Sequence, residues 1–233
     1  MENSKSTFMS FAVLLGLLGS GFFIYKGMRE FKSSQSVMVK GIGEEIVKAD
    51  RAIWTIAFNV EEPKIEEATK KFNDDKDIII AFLQENKISK DDVKILSPTV
   101  RPQSDQQGAK SYSIMGRIVV HSTQVDLIQD VSAKAFQLLD KHVLLEANHY
   151  GSDNNPSYII SDFDALRPGI FQKALESSKV MANVVASKMG KTVDEPIDID
   201  QGSFNLEGMH GQPEGSSIQK KIRVVSFVRY KIK

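Results

Sequence analysis

The chain has 233 residues, with 30 Lys and Arg against 30 Asp and Glu, no cysteine, 41% hydrophobic and 26% charged residues. A zero formal charge leaves no net field to draw in nucleic acid. The missing cysteines exclude a disulfide framework, a thiolate metal site and a cysteine nucleophile, and the composition is that of a globular protein rather than a disordered one.

Residues 1–7 form a short head, and Phe8 to Tyr25 follow as 18 residues without a charge. Such a helix would be roughly 27 Å long, close to the hydrocarbon thickness of a bilayer. A cleaved signal needs a shorter apolar core and a small-x-small site. Gly19-Ser20-Gly21 is the best such site, yet Phe22, Phe23, Ile24 and Tyr25 carry the apolar run past it. The expectation is therefore a retained transmembrane helix over 8–25, with a linker over 26–36 that includes Ser33-Ser34-Gln35-Ser36. Gly16 and Ser20 are small residues four apart, a spacing that lets two such helices pack closely.

The flanking charges pull two ways. Lys26, Arg29 and Lys32 outnumber Lys5, so a literal positive-inside count keeps the following domain in the cytoplasm. A short basic head before a single apolar run is instead how an exported chain begins. Export is the reading adopted, with an inner-membrane anchor and the domain, residues 37–233, in the periplasm.

Val37, Val39 and Ile42 begin a first strand, and Ala52, Trp54, Ile56, Phe58 and Val60 alternate in a second. Trp54 and Phe58 should face a core. Pro63 opens a helix carried by Ile65, Ala68, Phe72, Ile79 and Phe82, with Asn86 placed to take the left-handed position that ends it. "DDVKILSPTVRPQ" predicts a strand ended early or kept at an edge by its prolines. After the turn "QSDQQGAK", "SYSIMGRIVVHST" predicts another strand, with a bulge or a slip in alternation at Gly116.

Thr123 and Asp126 have capping-box spacing before a helix of Val125, Ile128, Val131, Ala135, Leu138 and Leu139. "VLLEANHYGSDN" carries a short strand and a turn. "PSYIISDFDAL" leads into a third helix with Pro168 in its first turn. Ala174, Ser178, Ala182 and Ala186 put small residues on one face of that helix, so its backbone can press close to a sheet, and Gly190 ends it. "EPIDIDQGSFNLE" and "KKIRVVSFVRYKIK" are the closing strands, around the loop "GMHGQPEG". Strands that come in pairs between helices indicate an α+β fold with mostly antiparallel sheet and packed helices, preceded by one transmembrane helix.

Signs of chemistry are few. Gly41 and Gly43 have no third glycine after them, since Ile46 stands in its place and a strand follows, so a phosphate loop is excluded. Those glycines instead suit a bulge or a tight backbone approach. Asp194, Glu195, Asp198 and Asp200 do not make a calcium loop: counted from Asp198, position five is Gly202, position six Ser203 and position twelve Met209. The run reads as a solvated strand edge. Asp162 and Asp164 sit where a helix begins, as caps or dipole partners rather than an acid–base pair. His121, His142, His149 and His210 share no metal-ligand spacing. Met209 and His210 lie in a loop, where the thioether is open to oxidation. No cofactor, metal or catalytic residue is expected. An unrecognised envelope enzyme, with Asp162, Asp164, His149 and Tyr150 as its candidates, or a small-ligand carrier is the alternative.

"VKGIGEEIVKADRA" resembles the opening signature of SIMPL-domain proteins, here Val39, Gly41, Gly43, Asp50 and Ala52. "FLQENKISKDDVKILSPTVRP" is similar to the family's helix end, turn and strand, with Lys87 where glycine is common. "YSIMGRIVVHST" and "ALRPGIFQKALESSKVMANVVASKMGK" resemble the next strand and the alanine-stepped helix. The resemblance runs from about Ser36 to Lys233. It implies a mostly bacterial protein of the periplasm or envelope, an α+β fold and no accepted catalytic centre. Some members are described as aiding oxidative-stress defence, and a eukaryotic relative signals through protein binding. A homo-oligomer or an envelope protein partner is implied, with no nucleic acid, and the five motif residues transfer as structural positions.

Overall fold

A computed structural model describes residues 20–21, 24–25, 35–104, 109–146 and 154–233. The strands are β1 (Ser36–Lys48), β2 (Arg51–Glu62), β3 (Val93–Ile95), β4 (Thr99–Ser104), β5 (Lys110–Ser122), β6 (Ser157–Ile159), β7 (Val193–Gly208) and β8 (Gln219–Ile232). The helices are α1 (Ile65–Glu85), α2 (Val125–Ala133), α3 (Gln137–Asp140) and α4 (Phe163–Lys188). The architecture is α+β. Of the expected membrane segment only Ser20, Gly21, Ile24 and Tyr25 are described, as helical and exposed residues; the rest of 8–25 lies outside the described residues. Among the described residues no helix is long and apolar enough to cross a membrane.

The chain divides into two compact units. One holds Glu45–Arg167 and Asn205–Ile222; the other holds the described residues up to Glu44, Pro168–Phe204 and Arg223–Lys233.

The larger unit is built on a sheet of order β3-β5-β2-β6, with β4 also pairing β5, and every pairing antiparallel. α1 packs on β2 and β5, and α2 on β2. The alternation of β2 puts Trp54, Ile56, Phe58 and Val60 into the core, where they meet Phe72, Ile79 and Leu83 of α1 and Ile128 of α2. Burying a side chain of this size stabilises by roughly 1.5–3 kcal/mol, so this layer is the main source of the unit's stability.

Gly116 does not bulge β5. The β2–β5 register runs unbroken from Ala52↔Ser122 to Glu62↔Tyr112, with Phe58 opposite Gly116. The glycine instead makes room for rings, because a Cβ there would lie 2.4 Å from Phe58 Cζ and 2.6 Å from Phe72 Cε2. Those rings stack with centroids 5.2 Å apart.

α1 ends in a Schellman motif, in which Lys87 N–H donates to Gln84 O (2.9 Å) and Ile88 N–H to Leu83 O (3.0 Å). The left-handed residue is Lys87, at φ 67°, not Asn86. Asn86 keeps φ at −92° and turns its side-chain amide back onto Phe82 O at 2.8 Å. α1 also starts later than expected: Lys64 is the N-cap and Pro63 lies before it.

Other expectations are corrected in the same way. "DDVKILSPTVRPQ" is two strands, β3 and β4, interrupted around Pro98. The predicted helix after Thr123 is two, because the chain turns through Lys134–Phe136. Its capping box does not form; Gln124 is the N-cap without a side-chain bond, and Ser122 Oγ accepts from Gln124 N. Lys48 takes Asp126 instead, at 2.6 Å. Within "VLLEANHYGSDN" only an isolated bridge, Phe58↔Leu145, forms, and 147–153 lie outside the described residues. Pro168 lies inside α4 rather than in its first turn.

In the smaller unit the parts of β1 up to Glu44, of β7 up to Phe204 and of β8 from Arg223 pair in the order β1-β8-β7. Thr192 and Lys233 exchange both backbone hydrogen bonds, at 2.9 and 3.0 Å, the antiparallel pattern. Ile170, Ala174, Ser178, Ala182 and Ala186 form the fully buried face of α4.

Candidate functional site

The motif residues are explained by packing. A Cβ on Gly41 would lie 2.0 Å from Ala174 O and 2.7 Å from Ser178 Cβ; one on Gly43 would lie 2.1 Å from Ile170 O. The two glycines and the small face of α4 are therefore halves of one contact, in which helix backbone rests on strand backbone. Val39 is buried on the same face of β1, in a cluster with Ala182, Val228 and Tyr230. Ser178 Oγ and Tyr230 Oη share a hydrogen bond of 2.9 Å under this contact.

Asp50, in the turn after β1, accepts from Ser161 N–H at 2.8 Å and from the Ser161 hydroxyl. The serine hydroxyl holds the Asp50 carboxyl below its ordinary pKa. Ala52 is buried opposite Ser122 in the larger core.

The carboxylates offered for catalysis are engaged as helix-end groups. Asp162 Oδ1 accepts from Ala165 N–H at 3.1 Å, an N-cap, and Asp164 pairs with Arg167 at 3.1 Å; both acids are exposed. His149 and Tyr150 lie outside the described residues. His142 takes the left-handed position that ends α3, at φ 62°. Among the described residues no group of three or more His, Cys, Asp or Glu could hold a metal ion.

Two polar features, one half-buried and one buried, are invisible to motif reading. Asn154 is a staple on β2: its carbonyl accepts from Trp54 Nε1 at 2.6 Å, its Oδ1 from Ala57 N–H at 3.1 Å, and its Nδ2 donates to Glu146 O at 3.0 Å. Lys220 is wholly buried on β8, where its ammonium donates to Glu214 O and lies 3.7 Å from Glu214 Oε1. Burial pushes its pKa down, and Glu214 opposes that shift. A small recess of about 290 Å³ lies beside Asn59, Glu61, Lys71 and Glu146, and Glu146 Oε2 is buried without a hydrogen-bond partner among the described residues.

The surface best suited to binding is in the smaller unit. β7 ends its sheet, with β8 as its neighbour. Residues 195–201 are all exposed, although a packed strand would hide every second one. Ile197 and Ile199 are 57% and 45% exposed. Beside the strand a groove of about 460 Å³ is lined by Leu175, Val193, Pro196, Ile199 and Tyr230 together with the charged Glu176, Lys179, Asp194 and Glu195. Asp194 pairs with Lys233 at 2.7 Å, which lowers the Asp194 pKa. Glu195, Asp198 and Asp200 leave the strand acidic. The sequence places these residues on a solvated strand edge; it does not show that the edge borders an apolar groove, because that depends on strand order.

The model of one protein family, SIMPL, described as a protein of unknown function (DUF541), matches residues 37–226. No curated protein matches the chain. Among solved structures, a hydrolase from Listeria innocua is 10% identical, with 82% of this chain and 92% of that chain covered and a TM-score of 0.21. So slight a likeness carries no argument.

Proposed function

The chain belongs to the SIMPL family, and from that premise we propose that it is a membrane-anchored periplasmic protein acting by protein binding or self-assembly at the cell envelope, without catalysis. The observation that carries the binding reading is β7, an edge strand exposed on both faces beside an apolar groove. An unpaired strand edge offers a row of backbone donors and acceptors, and a neighbouring groove takes side chains from whatever pairs with it. The uncharged run of residues 8–25 supports the anchor by its length and composition. A part in oxidative-stress tolerance follows from the resemblance alone.

The experiment places a photo-crosslinking amino acid at Ile197, and at exposed Leu139 of the larger unit as control, in the full chain with a C-terminal tag. Irradiated cells should give a discrete adduct from position 197 and none from 139. Spheroplasts should lose the tag to added protease, while carbonate-washed membranes retain undigested protein. Equal adducts at both positions, or none at 197, refute the binding reading; a tag that survives protease in spheroplasts refutes the periplasmic one.

A further inference from the structure

We infer that the β7 edge is built to receive an extended basic segment of another protein, added as a further strand with one apolar side chain in the adjoining groove. This deepens the binding reading above and rests on it.

Three features of β7 set the chemistry of the occupant. Among the described residues no strand pairs the outer edge of β7, and the side chains over 197–201 are exposed on both faces, which leaves room for an added strand. Ile199 is both an exposed residue of the strand and part of the groove wall, next to Pro196, Leu175 and Tyr230. A strand laid along β7 therefore brings its own alternate side chains over that apolar floor. Glu195, Asp198 and Asp200 on the strand itself flank the same stretch, while Glu176 and Lys179 of α4 in the groove lining offset each other. Lysines or arginines alternating with apolar residues complement this pattern; acidic residues directly opposite are repelled.

The same charges argue against a second copy as occupant. Two β7 edges would bring like carboxylates together, which is how edge strands are kept from pairing with themselves. The chain's own basic strand, β8, with Lys221, Arg223, Arg229 and Lys231, lies between β1 and β7 and has no open edge. On β1, Lys40 and Lys48 are balanced by Glu44 and Glu45.

The test uses the full chain in detergent and fluorescein-labelled peptides about ten residues long, a common upper length for a strand. One peptide alternates Lys and Ile, one alternates Glu and Ile, and a third is the Lys–Ile peptide N-methylated at alternate residues on its pairing edge. Anisotropy should show binding of the Lys–Ile peptide, with both other peptides weaker by about tenfold or more. The double variant Asp198→Lys/Asp200→Lys, at exposed positions, should weaken the Lys–Ile peptide about tenfold with an unchanged thermal midpoint. Equal binding of the N-methylated peptide would mean charge attraction without strand pairing, and equal binding of the Glu–Ile peptide would remove the basic requirement; either overturns the inference. Self-association without peptide, abolished by the double variant, would assign the edge to a second copy and overturn it too. If no peptide binds but the adduct at Ile197 still forms, the basic strand is refuted and the binding reading survives; if both fail, both are refuted.

Discussion

Replacing Gly41 by alanine tests the central contact of the smaller unit. The added Cβ would lie 2.0 Å from Ala174 O and 2.7 Å from Ser178 Cβ. Ordinary contact begins near 3.4 Å, so α4 must retreat by roughly 1.4 Å or the strand must bend away. A gap of 0.5–1 Å already forfeits about a quarter to a half of each dispersion contact along a packed face. Five buried residues on α4, from Ile170 to Ala186, share that face. The retreat also stretches the Ser178–Tyr230 hydrogen bond of 2.9 Å, both partners being buried. Overpacking of a core costs about 1–3 kcal/mol and a broken buried hydrogen bond about 1–3 more. Replacing a strand glycine returns only about 0.5–1 kcal/mol of backbone entropy. The expected net loss is about 3 kcal/mol. In urea unfolding followed by circular dichroism, a slope of about 2 kcal/mol/M turns this into a midpoint lower by about 1.5 M. Gly169→Ala is the control: a Cβ there meets nothing within 4 Å, in a helix, and it should raise stability by about 0.5–1 kcal/mol. A Gly41→Ala midpoint within about 0.2 M of wild type would refute the backbone-on-backbone account.

Lys87→Gly should stabilise by about 1 kcal/mol, since it relieves a left-handed lysine at φ 67° while keeping the Schellman bonds; a destabilised variant in the same urea titration would show that the Lys87 side chain matters more than its backbone. Asn154→Ala should cost about 1–3 kcal/mol, because Ala57 N–H, fully buried, loses its acceptor; an unchanged midpoint would mean that water replaces the amide. Asp50→Ala should cost about 1 kcal/mol at neutral pH, a low figure because the carboxylate is exposed. The folded pKa of Asp50 lies below its ordinary value of 3.8, so its contribution is complete above about pH 4 and fades as pH falls through the folded pKa. The gap between wild type and Asp50→Ala in urea midpoint should therefore narrow as the pH falls below about 4; a constant gap would contradict the linkage.

Much of the fold is legible where periodicity is long. Nine alternating residues identify β2 and its core-facing Trp54 and Phe58, and the four-residue step of small side chains identifies the close face of α4. What short-range reading misses has physical causes. β6 has three residues, too few for any period to show, yet it pairs β2 through Arg51↔Ile159. The apolar spacing carries on from Val131 through Ala135 to Leu138, so nothing in the pattern announces the turn that separates α2 from α3. Asn86 is a common left-handed residue, and its neighbour Lys87 holds that position because Ile88 must reach the core. Gly116 signals a bulge by itself; only the two rings stacked against it from β2 and α1 explain why the register holds. At the candidate site, the acidic run is readable as a solvated edge. The groove beside it joins Leu175 and Tyr230 to β7, residues brought together only by the tertiary fold.

Asn154 has a consequence for how this protein can be altered by hand. Its amide ties Glu146 O at 3.0 Å, so the two residues that bound 147–153 are joined directly, and both are fastened to β2 through Ala57. An engineered change in this part of the chain should therefore leave Asn154 and Glu146 in place, because moving either one unfastens Ala57 N–H or Ala57 O on β2.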